Sequence, residues 1–295
     1  EQMANNLKNG EVLLLENVRF YTEEEDNDPI FAQSLARLAD IYVNDAFGTA
    51  HRNHASIVAV AKLLPNAVGY LMSREINAIS SVVDNPKHPF VAILGGAKVS
   101  DKIGLIKNVI EKCDTVLIGG GMAFTFLKAQ GHSIGKSLFD AEKLDLAAEI
   151  LQEAKERNVN VVLPVDFLGA DIMSLTAKKF KIKGQEIPND LMGLDIGRKT
   201  IKMFVKEIKK ANSLIWNGPM GVFEIDNFSR GTLKIAKAIC KFKGRAVVGG
   251  GDSIAALNKI GKADNVYHIS TGGGASLKLM SGESLVGVDV IEDKD

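Results

Sequence analysis

Five times along the chain a short apolar run ends in a cluster of glycines, and this recurrence constrains the fold more than any other feature. Phe90–Leu94 runs into Gly95-Gly96, Thr115–Ile118 into Gly119-Gly120-Gly121, and Leu214–Trp216 into Asn217-Gly218-Pro219. Ala246–Val248 runs into Gly249-Gly250-Gly251-Asp252-Ser253, and Val266–Ile269 is followed by Thr271-Gly272-Gly273-Gly274. Unbroken apolar runs bounded by glycine and alternating with helical patterns read as buried parallel strands followed by crossovers. In an open parallel sheet the carboxyl ends of the strands share an edge, and ligands bind there. Glycines let the backbone approach a ligand, and a helix start offers unpaired N–H groups to an anion. Lys98 and Lys102, four apart, are expected on one face of a helix after Gly96. A solvated lysine pair on a surface helix is the bland alternative. Five such turns along one edge favour a nucleotide or polyphosphate ligand.

The 295 residues suffice for two domains with sizeable cores. Lys plus Arg (36) equals Asp plus Glu (36), so no net field points to nucleic acid or an anionic membrane. No apolar run approaches the ~20 residues of a membrane span, and the first residues do not resemble a signal peptide. Cys113 and Cys240 lie far apart without metal-ligand spacing, which suits core thiols in a reducing compartment. The expected location is the cytoplasm.

Glu1 to Gly10 reads as a helix end closed by glycine, Val12–Leu15 as a strand, and the acidic run from Glu23 to Asp28 as a solvated turn. Asp28 and Pro29 fit an N-cap and a first helical position. Ile41–Val43 completes a βαβ unit. Two strands alone are marginal, so this opening is expected to be the back portion of a larger domain whose front is absent here. His51 and His54 are three apart, but no third ligand accompanies them, which disfavours zinc. His51-Arg52 fits a basic loop facing an anionic substrate, or a solvated loop. A helix from Tyr70 carries Met72, Ile76, Ile79 and Val83 on one stripe and stops at Asn85-Pro86, the best domain boundary in the chain.

Beyond it, strand and helix alternate to about residue 275. Residues 167–188 read as a small excursion from the sheet, Met192–Gly197 as a turn, and the segment from Gly282 as mostly loop. Gly131–Ser137 resembles a phosphate-binding loop but has three residues between its glycines instead of four and follows a helix, so it is rejected. No G-x-G-x-x-G fingerprint completes, which disfavours a nicotinamide oxidoreductase.

Longer strings then carry a resemblance. Leu-Leu-Glu16-Asn17-Val18-Arg19-Phe20, Asn44-Asp45-Ala-Phe-Gly-Thr-Ala-His51-Arg52, Leu-Gly95-Gly96-Ala-Lys98-Val-Ser-Asp101-Lys102, Ile-Gly119-Gly120-Gly121-Met122, Trp216-Asn217-Gly218-Pro219-Met-Gly-Val222-Phe-Glu224, Gly249-Gly-Gly-Asp252-Ser253 and Ser-Thr-Gly272-Gly-Gly resemble phosphoglycerate kinase, in order along the chain. The family's front segment, with its Val-Asp-Phe-Asn and Ser-His-Leu-Gly-Arg-Pro motifs, is not in the sequence.

The resemblance implies an α/β chain: a parallel-sheet, Rossmann-like nucleotide domain (85–279) and the remnant of a second α/β domain (1–69) for the acid substrate. It implies a hinge helix (70–84) joining two domains that face across a cleft, and a tail (280–295) returning to the N-terminal domain. The implied reaction is reversible phosphoryl transfer between 1,3-bisphosphoglycerate and ADP, giving 3-phosphoglycerate and ATP. It implies Mg2+ with ATP or ADP, and a cytoplasmic monomer with no nucleic acid or membrane partner. Lys98 would stabilise the transferring phosphoryl group, Lys102 hold nucleotide phosphates, and Arg19, Arg52 and His51 meet the acid substrate, Arg19 also serving catalysis. Gly95, Gly96, Gly119, Gly120 and Gly121 would shape the nucleotide pocket, with Gly193 and Leu194 beside adenine. Asn217, Pro219, Val222 and Glu224 would line the base and ribose, Glu224 either accepting from ribose or merely solvated. Gly250, Gly251 and Ser253 would meet phosphate, with Asp252 on Mg2+ or simply an N-cap. Trp216 reads as core. The alternative is a nucleotide-binding fragment without turnover.

Overall fold

The computed structural model describes residues 1–261 and 263–292. These divide into two compact units, one holding Ala78–Gly282 and the other Glu1–Asn77 with the residues from Glu283. The smaller unit opens with two four-residue helices, α1 (Gln2–Asn5) and α2 (Thr22–Glu25), and then α3 (Pro29–Ala36). Asp28 caps α3 as its sequence predicts, accepting from the N–H groups of Ile30 and Phe31.

Two expectations fail here. The acidic run is a solvated turn only in part: Glu23–Glu25 belong to α2, and Glu24 is 1% exposed. A buried carboxylate is tolerated because Ser56 satisfies it through N–H (2.8 Å) and Oγ (2.5 Å). Val12–Leu15 forms no strand; Val12 and Leu14 are 90% and 92% exposed, with no adjacent strand among the described residues to complete a ladder. The parallel pair is instead β1 (Tyr42–Asn44) with β2 (Asn66–Val68), and short helical turns at Phe47–Thr49, Ala55–Ala59 and Ala61–Leu63 bridge them. The segment from Glu283 is also more than loop. It carries a helix, Val286–Asp289, and Gly287 donates to the Ala50 carbonyl (2.8 Å) while accepting from Asn44 Nδ2 (3.1 Å).

The larger unit begins within α4 (Tyr70–Val83). Its main sheet contains β3 (Phe90–Leu94), β4 (Thr115–Ile118) and β5 (Asn160–Val162), with α5 (Ile103–Ile110), α6 (Met122–Ala129) and α7 (Leu144–Glu156) between them. Between β5 and the next main-sheet strand the chain builds a separate antiparallel sheet, β6 (Asp166–Ala170), β7 (Phe180–Lys183) and β8 (Met192–Ile196), ordered β7-β6-β8. This is the excursion the sequence predicts. Met192–Ile196, expected as a turn, is a strand: its glycine looks like a turn signal, but pairing with β6 across a register shift at Leu168/Gly169 decides its conformation.

Then follow α8 (Arg198–Lys210), β9 (Ser213–Asn217), α9 (Arg230–Ile239), β10 (Arg245–Gly249), α10 (Gly251–Ile260), β11 (His268–Ile269) and α11 (Gly274–Met280). The main sheet runs β11-β10-β9-β3-β4-β5, with every neighbouring pair parallel. Parallel pairing puts all carboxyl ends, and so all five glycine clusters, on one edge. β3 and β9 are buried at every position, as strands with helices over both faces require. From β3 the chain steps outward to β4 and β5, then crosses back to β9. The order reverses between β3 and β9, a switch point whose flanking loops leave a crevice.

Candidate functional site

At that switch point lies a cavity of 440 Å³, walled by glycine loops on one side and the antiparallel sheet on the other. The loops after β3, β4 and β9 interlock through their backbones. Gly95 donates to the Asn217 carbonyl (3.0 Å), Gly96 to Pro219 (3.0 Å) and Gly120 to Met220 (3.1 Å). These N–H groups are committed to neighbouring loops, so the glycines serve close approach of backbone to backbone here. Gly218 combines close approach with a left-handed backbone: at φ +96° its missing Cβ would stand 2.3 Å from the Gly95 carbonyl oxygen. Trp216, fully buried, does more than fill core, because its Nε1 donates to the Gly218 carbonyl (2.8 Å).

Of the residues singled out in the sequence, Gly96, Gly120, Gly121, Gly193, Leu194, Pro219, Val222, Glu224 and Asp252 line this cavity. Gly95, Gly119, Asn217 and Ser253 are buried and do not line it. Ser253 Oγ accepts from the Gly218 N–H (2.7 Å), tying α10 to the β9 loop. Gly250, at φ +88°, is the N-cap of α10, and Gly251 and Asp252 open that helix, whose first-turn N–H groups have no partner within it. Asp252 is therefore not the N-cap; it stands in the first turn, where a carboxylate also favours the helix dipole.

The two lysines differ from expectation. They do not share an α-helical face: Lys98 sits in an irregular turn, and Lys102 ends a short 3-10 helix, Ser100–Lys102, ahead of α5. Glycines at 95 and 96 delay the helix, so spacing along the sequence does not carry over into helical geometry. Lys98 is exposed, without a hydrogen bond or ion pair among the described residues. Lys102 donates to Asn217 Oδ1. Burial lowers the Lys102 pKa, and the negative charges of Asp101 and Asp252 oppose that shift.

Several lining residues were not foreseen. Phe124, Phe167, Met173 and Met192 form an apolar wall, and Phe124 and Phe167 meet at 5.3 Å between ring centroids. Lys136, from the stretch rejected as a phosphate loop, and Leu138 just beyond it also reach the cavity. Three of these positions belong to or follow the antiparallel excursion, whose fold over the cavity only tertiary structure reveals. Asp195 is a further surprise, 3% exposed and accepting from the N–H groups of Gly231 (2.7 Å) and Ile196 (2.9 Å). Burial pushes its carboxyl up to about 8, against the lowering effect of those N–H groups and of Arg230.

This shift has a sign that can be checked. Between the ordinary carboxylate range and about pH 8 the folded chain holds a proton on Asp195 that the unfolded chain has lost. Stability should therefore fall as pH rises through that window and level off above it. Asp195→Asn, which cannot titrate, should flatten this slope in denaturant midpoints measured across the window. An unchanged slope would assign the pH dependence to other groups.

The comparisons with known proteins bear on this geometry. The phosphoglycerate kinase family model matches residues 1–283. A phosphoglycerate kinase of Koribacter versatilis is 54% identical over 100% of this chain and 74% of its own length. The chain belongs to the phosphoglycerate kinase family. A phosphoglycerate kinase of Nicotiana tabacum, described as cytosolic, is 52% identical over 99% of this chain and 74% of its own length. The solved phosphoglycerate kinase structure from Coxiella burnetii superposes with a TM-score of 0.91 at 43% identity, covering 96% of this chain and 73% of that one. Phosphoglycerate kinases are glycolytic phosphotransferases that use a nucleotide and small-molecule substrates. The two-domain α/β architecture of the family is the fold described above.

The remaining candidates lie in the smaller unit. Arg19 is exposed in the 3-10 turn Val18–Phe20, which Asn17 caps by accepting from the Arg19 N–H (3.1 Å). His51 and Arg52 are half-buried in the loop after the Phe47–Thr49 turn. The Arg52 Nε is buried and meets no hydrogen-bond acceptor among the described residues. Asn27 and Glu24 hold this loop from below: Asn27 Nδ2 donates to Asn53 Oδ1 (3.1 Å), and Glu24 takes both donors of Ser56. Among the described residues no three His, Cys, Asp or Glu side chains could together hold a metal ion, and no helix is long and apolar enough to cross a membrane.

Proposed function

We propose that this chain transfers a phosphoryl group reversibly between 1,3-bisphosphoglycerate and ADP, giving 3-phosphoglycerate and ATP. The observation that supports this most is the cavity at the β3–β9 switch point, lined both by Asp252 from the first turn of α10 and by an apolar wall. An apolar slot suits a base, and a helix start suits phosphates. In the forward direction the bond from phosphorus to the acyl oxygen breaks, a bond to the terminal oxygen of ADP forms, and the carboxylate leaves with its electron pair. Little covalent help is needed; the chain's task is positioning and charge neutralisation.

In this reading the larger unit takes the nucleotide. Leu194, Gly193 and Phe124 face the base, Pro219 and Val222 flank it, and Glu224 accepts from ribose hydroxyls. Gly96, Gly120 and Gly121 give the phosphates room, and Gly250 to Ser253 bring N–H groups to them, with Asn217 and Gly119 supporting from behind. Lys102 neutralises a nucleotide phosphate, releasing Asn217 as it does so, while Lys98 meets the group in transfer. In the smaller unit Arg19, Arg52 and His51 hold the acid substrate; a buried guanidinium nitrogen without an acceptor suits a carboxylate or phosphate ligand. Helix α4 is the hinge, and of the expected tail the residues from Glu283 to Glu292 belong to the acid-substrate unit, 280–282 staying with the larger unit and 293–295 lying outside the described residues. We place the chain in the cytoplasm as a monomer.

Mg2+ fits the donor set. This ion is commonly held by one or two carboxylates together with substrate phosphates, and Asp252 brings a carboxylate into the cavity from the first turn of α10. When bound, the ion would neutralise phosphate charge. Asp252→Asn should accordingly weaken Mg-ADP binding by about tenfold or more while changing metal-free ADP little, since the helix start survives an amide. Calorimetry with and without Mg2+ tests the assignment, and equal losses in both titrations would sink it.

A further inference from the structure

A chain with no net charge nevertheless gathers one sign on the face made by α8 and α9. A groove of 580 Å³ runs between the last turns of these helices, with Val205, Ile208, Ala238 and Phe242 along its length. Five lysines surround it: Lys209 from α8, Lys234 and Lys237 from α9, and Lys241 and Lys243 just beyond. A second hollow adjoins it, shares Lys234, and adds four more cations between Arg198 and Arg230. Among the described residues no carboxylate lines either hollow. Among the described residues none of these nine side chains has an ion-pair partner, and all are exposed.

The arrangement is more than a solvated helix surface. α8 buries Thr200, Ile201, Phe204 and Ile208, so its lysines are not needed to anchor it. Like charges at these spacings repel and weaken both helices. A groove with an apolar floor and a wholly cationic rim is complementary to one kind of ligand: apolar side chains flanked by carboxylates.

We propose that the α8–α9 groove is a docking surface for an acidic segment of a partner protein, seated by one or two apolar side chains. The helix-in-groove mode supplies the apolar contact, and the lysines supply steering and register. Two other polyanions fit less well. Non-specific binding of single-stranded nucleic acid draws on exposed aromatic rings for stacking, and no large apolar side chain between residues 198 and 245 is exposed. A bilayer rewards apolar groups that protrude, whereas these are recessed.

The probes are synthetic: a short helical peptide with two leucines four residues apart among glutamates, the same peptide with both leucines changed to serine, polyuridylate, and phosphatidylserine vesicles. The leucine peptide should bind, weakening as salt is raised. The serine peptide should bind about tenfold or more weakly, the expected loss of buried leucine contact. The triple variant K234Q/K237Q/K241Q should lose peptide binding while keeping its Mg-ADP affinity, since none of the three lies at the nucleotide cavity, and should melt no lower than the parent, since like-charge repulsion is relieved. Equal affinity for both peptides would reduce the face to a diffuse cation patch and overturn the proposal. So would tighter binding of polyuridylate or vesicles, or an unaltered triple variant, or no peptide binding at all.

Discussion

Lys98→Ala is expected to lower phosphoryl transfer by ~10²–10³, or about 3–4 kcal/mol of transition-state stabilisation, the usual consequence of removing one preorganised donor from developing charge. Nucleotide affinity should fall far less. The structure gives the reason for separating the two lysines. Lys102 is engaged with Asn217 and lies beside Asp252, so its charge is already placed within the nucleotide end. Lys98 is exposed in an irregular turn with no partner among the described residues, free to meet a group that arrives only during transfer. Steady-state kinetics with both substrates, alongside calorimetry with Mg-ADP, separates the contributions. Equal losses in binding and turnover would make Lys98 a plain phosphate anchor.

Gly218→Ala should be the most damaging conservative change in the glycine loops. Its φ of +96° already disfavours any side chain, and the new Cβ would face the Gly95 carbonyl oxygen at 2.3 Å and its carbon at 2.6 Å. Both are backbone atoms pinned by the interlock of the β3 and β9 loops, so relief requires moving the strand ends themselves. A cost of roughly 2–4 kcal/mol follows from strain and steric overlap together. In a unit of this size that is a fall of roughly 4–16 °C in melting temperature. Nucleotide affinity should drop as well, because Pro219 and Gly96 line the cavity on either side. Gly131→Ala is the control: its φ is +91°, but nothing stands within 4 Å of the added carbon. If the two variants melt alike, backbone strain alone is at work and the loop interlock contributes nothing.

Much of the larger unit was legible in the sequence. Phe90–Leu94, Thr115–Ile118 and Ser213–Asn217 are buried on both faces, so their apolar character is continuous and their glycine ends abrupt. Met192–Ile196 was not legible, because a strand held by cross-strand pairing to β6 needs no run of β-formers. Helix α2 was not legible either: Glu24 reads as solvated until Ser56, 32 residues on, is seen to satisfy it. Of the cavity, the loop side was foreseen from Gly96, Gly120, Pro219 and Asp252. Of the apolar side, Leu194 and Val222 were named, but Phe167, Met173 and Met192 were not, since they carry no local mark of a ligand wall.

The sequence by itself determined the alternation of strand and helix, the single edge bearing the glycine clusters, and the motif strings that tie the chain to its family. Those properties rest on local periodicity and on residue types that few backbone environments tolerate. Only the tertiary structure decided that the glycines hold loops against one another, that Lys98 and Lys102 part company, and that nine cations gather on one face of a chain with no net charge. These depend on which distant residues become neighbours, and neighbourhood across the sheet is set by strand order, which the spacing of residues along the chain does not encode.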